Sequence, residues 1–302
     1  MSEGQTLSQL TAKLLVKLED YFKQDKTDLV LAHGDTTTCF ATAVSSFYHQ
    51  IPFFHVEAGL RTHRLNSPFP EEFNRQTIAP IARHHFAPTG LERENLLRDG
   101  VSDAAITVTG STVHEAVRTI LSKPIPTSLP QSSILTDLRP LVVVTLHRRE
   151  ANASLENTLH GMRLAASHRP DVLFVCPVHP NPSVQNAFKK TLNGIENIIL
   201  TEPLEYPQFL ALLLKSQLVL TDSGGVQEEA SYLGKKVLLA RSETERTDGL
   251  HTGLVKLIGL DSHFIQRSLI EELSTVMKKT ERPFSPSNAS EIISEQVLRV
   301  VG

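Results

Sequence analysis

The sequence contains little cysteine, and its cysteines form no pattern. Cys39 and Cys176 are the only two among 302 residues, and each lies inside an apolar segment. A disulfide framework needs several cysteines at regular spacings, and cysteine-based metal sites need them in close pairs. The sequence therefore argues against both, and it predicts two reduced thiols in the core of a cytosolic protein.

Long apolar runs and an excess of charge are also missing. No run approaches the roughly 18 apolar residues that a membrane-spanning helix needs, and residues 1–5 show neither the basic nor the apolar part of a signal peptide. The formal net charge is −3, and the lysines and arginines are spread along the chain. We therefore expect no nucleic-acid partner and no membrane partner, and we predict a soluble cytoplasmic protein.

The length of the chain predicts two domains. A chain of 302 residues exceeds the size at which one hydrophobic core usually stops growing. The stretch 122–139 is rich in proline and serine without sustained periodicity, which is typical of a linker. We expect a first domain over 1–121, a second over 140–265, and a C-terminal helical segment, 266–302, that packs back towards the first domain.

One stretch of the second half, 218–241, predicts a strand–turn–helix–strand unit. An apolar run meets a turn that contains Ser223 and Gly225, and apolar residues then follow at helical spacing. A serine hydroxyl and free backbone N–H groups at a helix N-terminus favour an anion such as a diphosphate. An ordinary βα turn with glycines for tight geometry explains Ser-Gly-Gly alone equally well.

The first half places an acidic residue at the end of each of two predicted strands. Strand-like runs end at Asp35 and at Glu57. Because ligands of open α/β sheets bind at the carboxyl edge of the strands, both carboxylates are candidates for a site. A helix cap at Asp35 and a turn at Glu57 are the alternative explanations.

A polar loop broken by prolines follows and enters a helix near Glu71. Loops of this kind often carry function. However, Glu71 and Glu72 in the first helical turn would also complement the helix dipole without any further role.

In the second half, five apolar runs alternate with helical patterns, which predicts a parallel sheet with helices on both faces. The first run, 141–146, ends at His147, which is followed by two arginines. A histidine at this edge could act as an acid–base group or hold a phosphate. His179 lies between prolines, which favours a structural or peripheral role.

Six polar motifs are spread over nearly the whole chain. They are HGDTTT (33–38), HVEAGLRT (55–62), SPFPEEFNR (67–75), HRRE (147–150), DSGGVQEE (222–229) and TER (244–246). In order and spacing they closely resemble the non-hydrolysing UDP-N-acetylglucosamine 2-epimerases. The resemblance implies an α/β fold of two Rossmann-like, doubly wound parallel-sheet domains, as in glycosyltransferases of the B type, with the site in the cleft between them.

The same resemblance implies roles for particular residues. The family's catalytic carboxylates fall on Asp35, Glu57 and Glu71, and its catalytic histidine falls on His147. Its UDP-binding positions fall on the following residues: Phe209, Ser223, Gly225, Glu229 and Arg246.

The implied reaction interconverts UDP-N-acetylglucosamine and UDP-N-acetylmannosamine. Loss of UDP from C1 with the proton from C2 leaves a glycal, and UDP then adds back while the proton arrives on the opposite face. Neither a metal nor a nicotinamide cofactor is implied. We expect a homodimer that serves cell-surface polysaccharide biosynthesis.

The resemblance has one gap. Members of the family begin with a strand followed by Gly-Thr-Arg-Pro-Glu, and roughly the first sixty residues of that pattern have no counterpart here. We therefore expect an incomplete first domain with an open apolar edge, which a separate N-terminal fragment would cover. Three alternatives stay open: a UDP-sugar-binding or catalytically impaired remnant, a hydrolysing 2-epimerase that releases N-acetylmannosamine, and a glycosyltransferase of the same fold.

Overall fold

Contacts divide the chain into two α/β units. The computed structural model describes residues 5–129, 134–147, 152–275 and 287–301. One unit comprises Met1–Glu115 and Ser287–Gly302, and the other comprises Ala116–Pro286. Each unit has its own sheet, and the strands of both sheets pair in parallel. The predicted α/β class with two parallel sheets is confirmed.

In the first unit, the described residues form a four-stranded sheet with the order β1-β2-β3-β4. Its strands are β1 (Val30–His33), β2 (Phe53–Val56), β3 (His84–Ala87) and β4 (Ile106–Val108). The helices of this unit are α1 (Leu7–Gln24), α2 (Thr37–Tyr48), α3 (Glu71–Ile78), α4 (Gly90–Arg98), the first residues of α5 (Thr112–Leu121), and α12 (Ala289–Val301).

The strands of the first sheet bury apolar side chains on both faces. Successive strand residues point to opposite faces, and Phe53 and Phe54 accordingly join different clusters. Phe54 packs with Ala289 and Ile293 of α12, whereas Phe53 packs with Ile78 at the end of α3. The sheet is therefore covered by helices on both faces.

Strand β1 lies at one edge of this sheet. Its residues alternate between partly buried and exposed, and Leu31 is 46% exposed. Apolar residues at helical spacing over 7–22 indicate an amphipathic helix, which is present as α1, but none of the residues of α1 is buried. Its apolar stripe therefore covers less of the core than the sequence pattern suggests.

In the second unit, the described residues form a six-stranded sheet with the order β10-β9-β8-β5-β6-β7. Its strands are β5 (Leu141–Thr145), β6 (Leu173–Pro177), β7 (Ile198–Thr201), β8 (Leu218–Thr221), β9 (Lys236–Leu239) and β10 (Val255–Leu257). Its helices are the remainder of α5, α6 (Asn152–His168), α7 (Pro182–Leu192), α8 (Tyr206–Lys215), α9 (Gly224–Tyr232), α10 (Asp248–His251) and α11 (Ser262–Ser274).

The unit boundaries differ from the predicted domain boundaries of 121, 139 and 265. The first change of unit falls inside α5, because Val117 is packed in a core cluster with Leu141 and Val219. Helix α11 stays with the second unit, because Ile265 and Leu269 pack in one of its core clusters. Within the predicted C-terminal segment, 266–302, the residues from 287 onwards belong to the first unit.

Candidate functional site

Asp35 and Glu57 follow neighbouring strands of the first sheet. His33 at the end of β1 is opposite Val56 at the end of β2, and the amide of Gly34 donates to the Val56 carbonyl at 2.9 Å. Burial and the nearby Asp35 and Glu57 carboxylates together raise the pKa of the Cys39 thiol to about 12. Asp35 and Glu57 therefore lie at the same edge of the sheet, and both carboxylates raise the pKa of Cys39.

The backbone at Glu57 adopts a conformation that its side chain disfavours. Its φ is 63°, in the left-handed region, which for a non-glycine residue costs on the order of 1–3 kcal/mol. Its carboxylate Oε2 lies 3.3 Å from Nε2 of His33, and the same nitrogen lies 3.1 Å from the Thr112 hydroxyl. Strain of this kind clusters at functional positions, where the surrounding structure holds a side chain in place.

Arg75 is a residue of the site that the sequence did not single out. Its Nη2 lies 2.7 Å from Oδ2 of Asp35, and its Nη1 lies 3.4 Å from Oε2 of Glu72. The neighbouring Asn74 amide donates to the Asp35 carbonyl at 2.7 Å. Helix α3 is therefore bound to the turn after β1. The available signal was the position of Arg75, four residues after Glu71, which places both on one face of a helix.

The adjacent acids at the start of α3 have different surroundings. Glu71 begins the helix and is partly buried. Glu72 is fully buried, and its carboxylate accepts the backbone amides of Thr62 and His63 at 3.0 and 2.9 Å, and the Gln76 amide at 2.7 Å. Glu72 thus fixes the loop that precedes the helix, in addition to complementing the helix dipole.

In the second unit, His147 and Asp222 follow paired strands. Thr145 of β5 is opposite Thr221 of β8. Asp222 accepts the backbone amide of His147 with Oδ2 at 3.0 Å, and its Oδ1 lies 3.0 Å from the ring Nδ1. The imidazole is stacked on His179, with the ring centroids 5.8 Å apart.

The Asp222 carboxylate therefore orients the imidazole of His147, although the sequence predicted a role only for the histidine. The remainder of the HRRE motif, 148–150, lies outside the described residues.

The turn after β8 opens α9, as the pattern predicts. Ser223 is the N-cap, and its hydroxyl accepts the Val226 amide at 3.4 Å. A Cβ at Gly225 would meet only the Ser223 hydroxyl, 4.0 Å away, so this side of the helix start is open. Backbone N–H groups at such a start favour an anion.

Arg246 lies against the same helix start. A Cβ on Gly224 would be 3.5 Å from its Nε. Its guanidinium is balanced by two acids, with Nε 3.1 Å from Oε2 of Glu228 and Nη1 3.8 Å from Oε1 of Glu245. The predicted positions Ser223, Gly225 and Arg246 are therefore brought together.

The other predicted nucleotide positions lie on α8 and α9. Phe209 of α8 packs against the core of the second unit, as does Tyr206 one turn earlier. Burial raises the pKa of Glu229 to about 7, a hydrogen bond from Tyr206 opposes this, and the Glu228 charge raises it further. An aromatic ring and a carboxyl that titrates near neutrality thus lie on adjacent helices.

The described residues contain neither a metal-binding cluster nor a membrane-spanning helix. In the described ranges, no group of three or more histidine, cysteine, aspartate or glutamate side chains is arranged to hold a metal ion. Within the same residues, no helix combines the length and the apolar character needed to cross a membrane.

Comparison with known proteins identifies the family. The family model described as UDP-N-acetylglucosamine 2-epimerase matches residues 1–298. The chain belongs to this family. The UDP-N-acetylglucosamine 2-epimerase of Bacillus subtilis is 42% identical over 309 residues, with 99% of this chain and 79% of that protein covered.

Solved structures of family members have the same fold. The Neisseria meningitidis epimerase bound to UDP-N-acetylglucosamine matches with a TM-score of 0.87 and 37% identity, covering 99% of this chain and 84% of that one. The Staphylococcus aureus protein MnaA in complex with UDP matches with a TM-score of 0.92 and 35% identity, covering 100% and 82%. This epimerase-family chain thus has the architecture of relatives that bind UDP or a UDP-sugar.

Proposed function

We propose that this chain interconverts UDP-N-acetylglucosamine and UDP-N-acetylmannosamine by epimerisation at C2. Membership of the epimerase family over residues 1–298 carries the proposal. Two features support it: the acids at the edge of the first sheet, and the start of α9 in the second unit, where backbone N–H groups favour an anion.

The reaction requires acid–base groups near both faces of the sugar. In the first step, a base removes the C2 proton while the C1–O bond to UDP breaks, which leaves a glycal and free UDP. In the second step, UDP adds back at C1 and a proton reaches C2 from the opposite face. We assign these proton transfers to Asp35, Glu57 and Glu71. Two observations support this assignment. Asp35 and Glu57 lie at the same edge of the sheet, and the salt bridge between Arg75 and Asp35 ties α3, which begins at Glu71, to that edge.

Departure of UDP requires stabilisation of its diphosphate. Preorganised donors aimed at developing charge are often the largest contribution to catalysis. We assign this role to Ser223, the backbone at Gly225, and Arg246, because they lie together at the start of α9. To His147, which Asp222 orients, we assign the exchange of a proton with the departing oxygen.

The rest of the nucleotide needs one apolar and one polar contact. Phe209 offers an aromatic ring for the base. The Glu229 carboxyl, which titrates near pH 7, is suited to hydrogen bonds with sugar hydroxyls.

Incubation with either UDP-sugar in deuterium oxide tests the proposal. We expect both sugars to equilibrate, with deuterium at C2 in each, as followed by NMR. Release of free N-acetylmannosamine together with UDP would instead identify a hydrolysing enzyme. Binding of UDP by calorimetry without exchange at C2 would identify a binding protein without turnover.

The homodimer expected from the sequence is part of the proposal. Light scattering coupled to size-exclusion chromatography should give twice the mass of one chain. The mass of a single chain at micromolar concentration would contradict it.

A further inference from the structure

The side chain of Gln227 joins α9 to the loop that carries Arg246. Gln227 is 1% exposed. Its Nε2 donates to the Arg246 carbonyl at 2.7 Å, and its Oε1 accepts the Thr244 hydroxyl at 3.0 Å. The Thr244 hydroxyl in turn accepts the Arg246 amide at 3.2 Å. The backbone of Arg246 is thus held at its amide and at its carbonyl.

The main chain of Gln227 completes the connection. Its amide donates to the Ser223 carbonyl at 3.0 Å, within the first turn of α9. One residue therefore binds Ser223 through its backbone and Arg246 through its side chain. These are two of the three positions to which the diphosphate is assigned.

Arg246 needs such a restraint for an electrostatic reason. Its guanidinium lies against Gly224 at the start of α9, where the helix dipole repels a cation. Glu228 and Glu245 attract the same group and would compete with a bound anion for it. Because these acids already pair with the guanidinium, the bonds at the backbone amide and carbonyl of Arg246 are the contacts that keep its loop beside the start of α9 independently of its charge.

We propose that Gln227 is a positioning residue that holds Arg246 where it meets the diphosphate of the bound nucleotide. The inference rests on the proposed function, because it takes Arg246 as a diphosphate contact. Gln227 is buried, so we assign it no contact with the substrate. Its effect should therefore appear only for ligands that carry the diphosphate, and only while Arg246 is present.

A double-mutant cycle with calorimetry tests this. Gln227→Leu keeps the side-chain size and removes both hydrogen bonds. We expect it to weaken UDP binding about tenfold, the coupling typical of residues in one hydrogen-bond network. Arg246→Met should weaken UDP binding by roughly thirtyfold or more. Adding Gln227→Leu to Arg246→Met should have no further effect. Uridine, which lacks the diphosphate, should bind the wild type and Gln227→Leu equally.

Asn197 provides a matched control in the same unit. It is a buried amide whose Nδ2 donates to the carbonyls of Ala166, Arg169 and Val172. Asn197→Leu should lower the melting temperature and leave UDP affinity unchanged. Thr244→Val removes the bridging hydroxyl and leaves the buried Gln227 side chain in place. It should also weaken UDP binding, and it tests the inference even if Gln227→Leu fails to fold.

The outcomes separate the inference from the function on which it rests. Normal UDP affinity in Arg246→Met would overturn the diphosphate assignment and the inference with it. Weak binding in Arg246→Met, combined with normal binding in Gln227→Leu and Thr244→Val, would overturn the inference alone. An equal loss from Gln227→Leu in both backgrounds, or an equal loss for uridine, would show a merely structural role.

Discussion

Nη2 of Arg75 lies 2.7 Å from Oδ2 of Asp35. The pair joins α3 to the turn after β1, and the arginine is only 2% exposed. A charge buried to this degree is stable only while it is paired. Arg75 therefore holds in place the Asp35 carboxylate, to which we assign a proton transfer. The same buried pair also stabilises the fold.

Replacement of Arg75 should destabilise the protein strongly. Arg75→Met leaves the fully buried Glu72 and the mostly buried Asp35 without their cation. Removing one partner of a buried pair lowers the free energy of unfolding by about 3–5 kcal/mol. Urea denaturation checks this. Arg93→Met is the control, because its pairs with Glu94 and Asp103 are exposed and should contribute less than about 1 kcal/mol. Similar losses in both variants would contradict the prediction.

Replacement of Asp35 should separate turnover from nucleotide binding. Asp35→Asn keeps the shape of the side chain and removes its ability to take a proton. We expect deuterium exchange at C2 to fall about 10²–10⁴-fold, the usual contribution of a general acid or base, with UDP affinity nearly unchanged. NMR and calorimetry measure the two effects. Asp25→Asn, at an exposed position after α1, should change neither. A parallel loss of UDP affinity would show that Asp35 acts in binding.

Glu229 should make stability depend on pH in a defined window. Burial raises its pKa from 4.5 to about 7, so the folded state holds the proton more tightly than the unfolded state. The free energy of unfolding that Glu229 contributes should therefore fall as pH rises from about 4.5 to 7, and then stay level. Glu229→Gln removes this dependence.

The measurement is the difference in unfolding free energy between wild type and Glu229→Gln across that range. It should change by on the order of 3 kcal/mol in favour of the variant as pH rises. A difference that is constant with pH would contradict a raised pKa.

Gly59 should tolerate no side chain. Its φ is +93°, and an added Cβ would lie 2.3 Å from the Glu92 carbonyl oxygen. Gly59→Ala must therefore displace backbone next to Glu57, which we expect to cost about 3 kcal/mol or more. Gly100 has a φ of +87° with no atom within 4 Å of the added Cβ, so Gly100→Ala should cost only about 1 kcal/mol of backbone strain. Thermal unfolding distinguishes the two variants, and equal melting temperatures would refute the steric argument.

The element pattern of the second unit could be predicted closely. The apolar runs at 141–146 and 218–220 became β5 and β8, because a buried parallel strand needs a continuous apolar run bounded by turns. Strand β10 was not predicted. It has three residues with Lys256 in the middle, which is too short and too polar for a periodicity to stand out.

The packing partner of each helix could not be predicted. Val117 of α5 packs in the second unit, whereas the chain before α5 belongs to the first. A hydrophobic stripe predicts that one face of a helix is buried, but it does not predict which core that face packs against.

By itself, the sequence determined the α/β class and the ends of the strands at which Asp35, Glu57, His147 and Ser223 stand, because these follow from short-range periodicity and turn chemistry. The tertiary structure alone decided which side chains meet. Arg75 and Asp35 are 40 residues apart, and His147 and Asp222 are 75 apart. Such pairs form only when packing brings distant segments together, and no local pattern in the chain encodes that geometry.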